Sequence, residues 1–313
     1  MTHDENVAYD EKSTRDEKLT VAVLGPGGIG GLLAGLLARA GHRVICLAGE
    51  ETAAALRTSG IRVRSGLFGD FAAEVAADTV LRTPVDACLV AVKHTTLDAA
   101  LERVPPEVLG DALLVPFLNG VEHPATLRAR YGEETVAPAA IRTESTRLSP
   151  GEIVHGSPLA EIDLTGDKVP RHRLDRLAAV LDSSGPTTRV LPDETAALWS
   201  KMTFLAPLAL LTTRYALPLG DIRTRHREEL TALVEETATV SRASGAPTDP
   251  AQTLARYEAF PPGTKSSMQR DAEAGRPLEL DAIGGALLRA AAHHGVPAPV
   301  ATRLVNDLKA AGH

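Results

Sequence analysis

The chain has 313 residues, 44% of them hydrophobic and 23% charged, which is too long for one small core and suits two domains with apolar material enough for each. A formal net charge of -7 disfavours non-specific attraction to phosphate backbones or anionic lipid, so neither nucleic acid nor a membrane surface is an expected partner. Cys46 and Cys88, each inside an apolar strand-like run, argue for structural thiols in a reduced compartment such as the cytoplasm and against a disulfide scaffold.

The first residues, MTHDENVAYDEKSTRDEK, are polar and acid-rich with no apolar targeting core, and 1–18 reads as a disordered tail. From Leu19 strand-like runs alternate with helical patterns: TVAVLG, a helix over about 29–40, RVICLA, and a helix through Leu56. That alternation predicts a parallel sheet with crossover helices. ACLVAV at 87–92 and LLVPFL at 113–118 continue the sheet as strands buried on both faces. VAPAAIRT, GEIVHG and EIDLTG then read as antiparallel additions at one edge, followed by a helix near 171–184 and a strand at TTRVL. Beyond Asp193 the segments 193–216, 221–244, 249–258, 264–275, 279–294 and 299–311 all have helical character, with FPPGTK at 260–265 as a loop. The expected division is a Rossmann domain over 19–192 and an all-α domain over 193–313. The most apolar segment, around Leu205, is interrupted by Lys201, Pro207 and Arg214, so no membrane span is expected.

Gly25, Gly27 and Gly30 fit G-x-G-x-x-G directly after TVAVL and before an apolar helix, a context that raises the motif above chance. Gly25 supplies a tight turn, Gly27 lets backbone approach a pyrophosphate, and Gly30 lets helix and strand pack closely, with Gly28 and Ile29 completing the loop. The phosphates then meet the helix N-terminus. A bare strand-turn-helix and a methyltransferase-like nucleotide site are the alternatives. At the end of the second strand stand Gly49, Glu50 and Glu51, and carboxylates there suit the ribose hydroxyls of NADH better than the phosphate of NADPH. The competing reading makes both glutamates first-turn residues that favour a helix dipole, with Arg62 or Arg64 still able to reach a phosphate.

Between Ala196 and Thr213 the only charged residue is Lys201, among Trp199, Met202, Phe204 and Leu205. It either lays its stem on apolar surface with the ammonium in water, or is buried enough to lower its pKa and donate a proton. Pro207 should kink this helix. Ser266 and Ser267 open one later helix and Glu279 the next; Glu279 and Asp281 could be helix N-terminal acids, yet Gly284 and Gly285 imply close backbone approach by another element. No metal-ligand set is expected.

Taken together, the glycine loop, AVKHTTLD with Lys93, FLNGVEHPATL with Asn119, LWSKMTF with Lys201, and SSMQRDAEAGRPLELDAIGG resemble ketopantoate reductase (2-dehydropantoate 2-reductase) and its relatives from about Leu19 to the C-terminus. The resemblance implies a Rossmann domain joined to a helical domain, as in 6-phosphogluconate dehydrogenase-like enzymes. It further implies an NADH- or NADPH-dependent oxidoreductase acting on a keto acid or related ketone, and a homodimer. By position it makes Lys201 the general acid, sets Glu279 near the substrate oxygen, gives Ser267 a part in holding the carboxylate, and lines the cleft with Asn119 and Lys93. Two departures point to a divergent paralogue. Relatives carry asparagines four and eight residues after the lysine, where this chain has Leu205 and Ala209, and an arginine for NADP where it has Gly49. An apolar wall recognises the hydroxyl of ketopantoate poorly. An opine- or imine-type dehydrogenase and a non-catalytic dinucleotide sensor are the competing functions.

Overall fold

The computed structural model describes residues 18–312; the tail expectation therefore lies outside the described residues, apart from Lys18, whose ammonium donates to the Ala40 carbonyl at 2.8 Å. The chain opens with β1 (Thr20–Leu24), α1 (Gly28–Arg39), β2 (Arg43–Leu47) and α2 (Glu50–Ser59). It continues through β3 (Ile61–Ser65), β4 (Phe71–Ala73), β5 (Ala76–Asp78), β6 (Ala87–Val90), α3 (Leu97–Leu101), α4 (Pro106–Leu109), β7 (Leu113–Pro116) and α5 (His123–Tyr131). Four strands, β8 (Ala139–Arg142), β9 (Ser145–Ser149), β10 (Glu152–His155) and β11 (Glu161–Leu164), lead to α6 (Arg171–Ser184) and β12 (Thr187–Val190). The remainder is helical: α7 (Glu194–Tyr215), α8 (Leu219–Arg225), α9 (Arg227–Ala243), α10 (Pro250–Ala259), α11 (Ser267–Glu273), a π-helical turn at Asp281–Gly285, α12 (Ala286–His294) and α13 (Pro299–Ala310).

The main sheet has the order β5-β2-β1-β6-β7 with every pairing parallel, the Rossmann arrangement expected from the alternating pattern. Val21 to Leu24 and Ala87 to Val90 are wholly buried because helices cover both faces. The late strands do not extend this sheet's edge as antiparallel additions. They form two further sheets, β4-β3-β10-β9 and β12-β11-β8, in which β10 runs parallel to β3 and β12 parallel to β11. The stretch before β8 meets the main sheet through an isolated bridge of Val136 to Leu114, where Leu114 N–H donates to Thr135 O and Ala137 N–H to Leu114 O.

The reason lies on α1. Glycines at 28, 31 and 35 clear one helix face; a Cβ at Gly31 would meet Ile153 at 2.5 Å, and one at Gly35 would meet Val63 and Ile61 at 3.1 and 3.2 Å. The second sheet settles on that face with Ile61 and Val63 inward while Arg62 and Arg64 point outward, an alternation of period two.

In the helical part, α7 is long and apolar enough to cross a membrane by length and composition alone, but 72% of its most apolar window is buried inside the protein. It is the central core helix, and it continues through Pro207 without interruption. The segment expected as one helix over 221–244 divides at His226, whose ring stacks on Tyr215 with centroids 3.7 Å apart. The helix expected over 264–275 is shorter, because the Ser266 hydroxyl caps it by accepting from the Gln269 amide at 3.0 Å. Gly284 is explained by close approach: a Cβ there would lie 2.6 Å from Val305 of α13.

Candidate active site

The glycine loop is a turn held from three sides. Gly25 has φ +83°, and a side chain on it would strike Val92 at 2.5 Å. Its N–H donates to Leu47 O at 3.0 Å and Gly27 N–H donates back to Gly25 O at 2.7 Å, so the end of β1 is tied to the end of β2. A Cβ on Gly30 would lie 2.2 Å from Gly25 O, which is why the helix can begin directly under the turn. Gly28 answers to packing instead, since its Cβ would fall 2.1 Å from the Ser145 carbonyl, and Ile29 packs on the core. Gly27 differs from these. The nearest atom to a Cβ there is Gly25 O at 4.0 Å, so this Cα faces open space. With no side-chain cap and no acid in its first turn, α1 presents backbone amides and the positive end of its dipole beside that space. This cradle fits the pyrophosphate of a dinucleotide.

Gly49, the N-cap of α2, has nothing within 4 Å of a Cβ position. Glu50 stands in the first turn of α2 and pairs with Arg57 at 3.1 Å, both exposed. Arg62 lies on the second sheet and pairs with Glu152 at 3.2 Å. The first-turn reading of Glu50 therefore describes its contacts, and Arg62 is already engaged.

Across from the cradle, α7 delivers Lys201 to the seam between the sheet-bearing part and the helical part. Its ammonium donates to the Leu118 carbonyl at 3.3 Å. Burial pushes its pKa down to about 8 against the opposing pull of Glu279, with the Arg142 guanidinium adding to the fall. Glu279 is buried, and its two oxygens are held from the other side of the seam: Oε1 accepts from the His94 amide at 2.8 Å and Oε2 from Asn119 Nδ2 at 2.8 Å. Directly after Glu279 comes the π-helical turn, a local widening frequent at functional sites. Gly120, at φ +89°, lets the Asn119 loop come down onto that turn, since a Cβ would lie 2.4 Å from Ala282 O. Lys201, Glu279 and Asn119 are thus brought together by backbone close enough to exclude side chains.

Lys93 reaches across the same seam to Asp271 at 2.6 Å; Arg276 holds the other oxygen of Asp271 at 2.9 Å. Ser267 is exposed at the first position of α11. Leu205 is partly buried at the edge of the helical core, whereas Ala209 is fully buried within it and offers no surface to a ligand. The expectation that Ala209 lines a pocket wall is corrected accordingly: its position on α7 turns into the core.

Four participants escaped the sequence reading. The His94 amide and Leu118 carbonyl are backbone groups that carry no side-chain signal. Asp271 lies inside a quoted motif but acquires its partner Lys93 only through folding. His123 was overlooked although a histidine before proline at a helix start is visible in the sequence; it is 1% exposed, neither ring nitrogen has a hydrogen-bond partner in the structure, and burial with Lys201, His94 and Arg128 nearby pushes its pKa down to about 3.

Known proteins resemble the chain over both of its parts. The profile described as Ketopantoate reductase PanE/ApbA matches residues 21–164, and its companion, Ketopantoate reductase PanE/ApbA C terminal, matches 193–312. The chain is 30% identical to the uncharacterized oxidoreductase YkpB of Bacillus subtilis over 92% of this chain and 97% of that one. It is also 30% identical to 2-dehydropantoate 2-reductase of Caulobacter vibrioides over 93% and 99%. Among solved structures, 2-dehydropantoate 2-reductase from Geobacter metallireducens superposes with a TM-score of 0.85 at 26% identity, covering 94% of this chain and all of that one (100%). D-mandelate dehydrogenase with NADH and anilino(oxo)acetate shares the fold, with a TM-score of 0.84 at 18% identity and coverage of 93% and 97%.

Proposed function

The chain belongs to the ketopantoate reductase family of NAD(P)H-dependent oxidoreductases, and on that premise we propose that it reduces the keto group of a 2-keto acid with Lys201 as the general acid. The observation that carries this reading is the partly buried Lys201 ammonium, electrostatically coupled to a Glu279 that both sides of the seam hold in place. When bound, the reduced nicotinamide supplies a hydride. The rest falls to the chain's own residues. Gly27 and the first amides of α1 bind the pyrophosphate. The Lys201 ammonium stabilises the charge that develops on the keto oxygen and gives that oxygen its proton, then regains one from solvent. Glu279, fixed by Asn119 and the His94 amide, accepts a hydrogen bond at the reacting centre and keeps Lys201 charged. Ser267 donates to the substrate from the mouth of α11.

Leu205 in place of an amide supports a substrate without the hydroxyl contacts of ketopantoate, hence a more apolar 2-keto acid. Gly49 where relatives carry an arginine, and Glu50 beside it, support NADH over NADPH. The test is Lys201→Ala. We expect kcat to fall by roughly 10²–10⁴ while affinity for the cofactor persists, because the ammonium acts in the transition state. An unchanged kcat would remove Lys201 from the chemistry.

A further inference from the structure

The seam contains a guanidinium that no carboxylate among the described residues pairs with. Arg256, on α10, is the partly buried arginine among the described residues that has neither a hydrogen bond nor an ion pair. Its guanidinium lies over the ring of Phe204, 4.9 Å from the centroid. Phe204 is fixed in turn by Tyr257 and Phe260, whose centroids lie 4.5 and 4.7 Å away. Phe204 follows Lys201 by three residues on α7, so the two share a helix face about one turn (~5.4 Å) apart. Arg142, on β8, acts on both cations: it lowers the pKa of Lys201 and of Arg256, while its own charge is met by Asp163 at 2.5 Å. Glu161 attracts Arg256 without pairing with it.

A guanidinium that served only to pack on Phe204 would gain nothing from a place beside another arginine. Of the three cations on this side of the seam only Arg142 has an ion pair among the described residues, and the like charges of Lys201 and Arg256 are disfavoured by it until an anion joins them. A carboxylate matches the planar fork of Arg256. A 2-keto acid has its carboxylate one bond from its keto carbon, short enough to engage donors at both ends of a single helical turn.

We propose that Arg256 receives the carboxylate of the substrate whose keto oxygen meets Lys201, and so selects 2-keto acids over their esters. This rests on the reductase reading for the identity of the substrate but not for the existence of the carboxylate site. Phe204 positions the guanidinium, and Ser267 contributes a neutral hydrogen bond.

The test is calorimetric titration with 2-ketoisovalerate and its methyl ester, on the protein saturated with oxidised cofactor so that no hydride is available. Wild type should bind the acid more tightly than the ester, and Arg256→Gln should reduce that acid-to-ester affinity ratio about ten- to hundredfold. Arg256→Lys, which keeps the charge but loses the fork, should reduce it severalfold and carries the test if the glutamine variant does not fold. An unchanged ratio in the variants, or wild type that binds neither compound, overturns the proposal. Turnover with reduced cofactor reports on the reductase reading separately: a ratio that falls as expected in a protein that reduces no keto acid upholds the carboxylate site and defeats the reading.

Discussion

Lys201 meets two opposed demands. As the proposed proton donor it has to be buried deeply enough to release a proton near neutral pH, and close enough to Glu279 to remain charged before it does so. His123 resolves a related conflict by staying neutral. Its folded pKa of about 3 lies below the ordinary 6.5, so between those values the unfolded chain binds more protons than the folded one. Stability therefore rises with pH across this window and is lost as pH falls through it. Melting temperatures recorded from near neutral pH downward should drop less steeply in His123→Phe than in wild type; parallel curves would show that another group governs acid unfolding. At the same scale, Gly49→Arg should raise the ratio of NADPH to NADH affinity, since the position is open and a guanidinium there meets no clash. No change in that ratio would place the adenosine ribose elsewhere. Lys201 is legible in the sequence as the one charge in an apolar helical stretch, whereas the parts expected of Glu279 and Asn119 are legible only through the family resemblance. His123 shows only as a histidine before proline at a helix start, and Asp271 and Arg256 show nothing, because what distinguishes all three is the identity or absence of partners contributed by distant segments.

At the level of elements, the loop between β1 and α1 separates two functions that a glycine motif alone confounds. Gly27→Ala puts a methyl group into open space, so the ligand-free protein should melt unchanged while dinucleotide affinity falls. Gly28→Ala drives a methyl group against the Ser145 carbonyl, backbone that cannot rotate away, and should cost about 1–3 kcal/mol, read as a melting point lower by several degrees. Equal effects of the two substitutions on melting would contradict this division of labour. The parallel strands were legible because continuous apolar runs such as ACLV permit little else than burial on both faces. The second sheet was not. Its strands are short and half polar, and the feature that calls for them, the glycine face of α1, reads in the sequence as part of the nucleotide motif. The π-helical turn was read as ordinary helix because its glycines are compatible with either geometry.

Across the whole molecule, the sheet-bearing and helical parts are joined by paired groups distributed around the active-site seam. Arg289 clasps Glu122 with bonds of 2.8 and 2.9 Å, Arg270 reaches Glu144 at 2.8 Å, Arg128 holds both oxygens of Glu194, and Lys93 reaches Asp271. The exposed pairs, Arg289 with Glu122 and Arg270 with Glu144, are each worth about 0–1 kcal/mol, so their weight lies in fixing orientation, whereas Arg128 with Glu194 is largely buried. Orientation is what the proposed chemistry needs, since Glu279 on one part is held by Asn119 and His94 on the other. The measurement that tests this account most directly is the pH dependence of kcat/KM for NADH- or NADPH-driven reduction of apolar 2-keto acids. With Lys201 as proton donor, the rate should be level below about 8 and decline above it as the ammonium deprotonates. A rate that climbs through that range, or no reduction of any 2-keto acid with either cofactor, would contradict it.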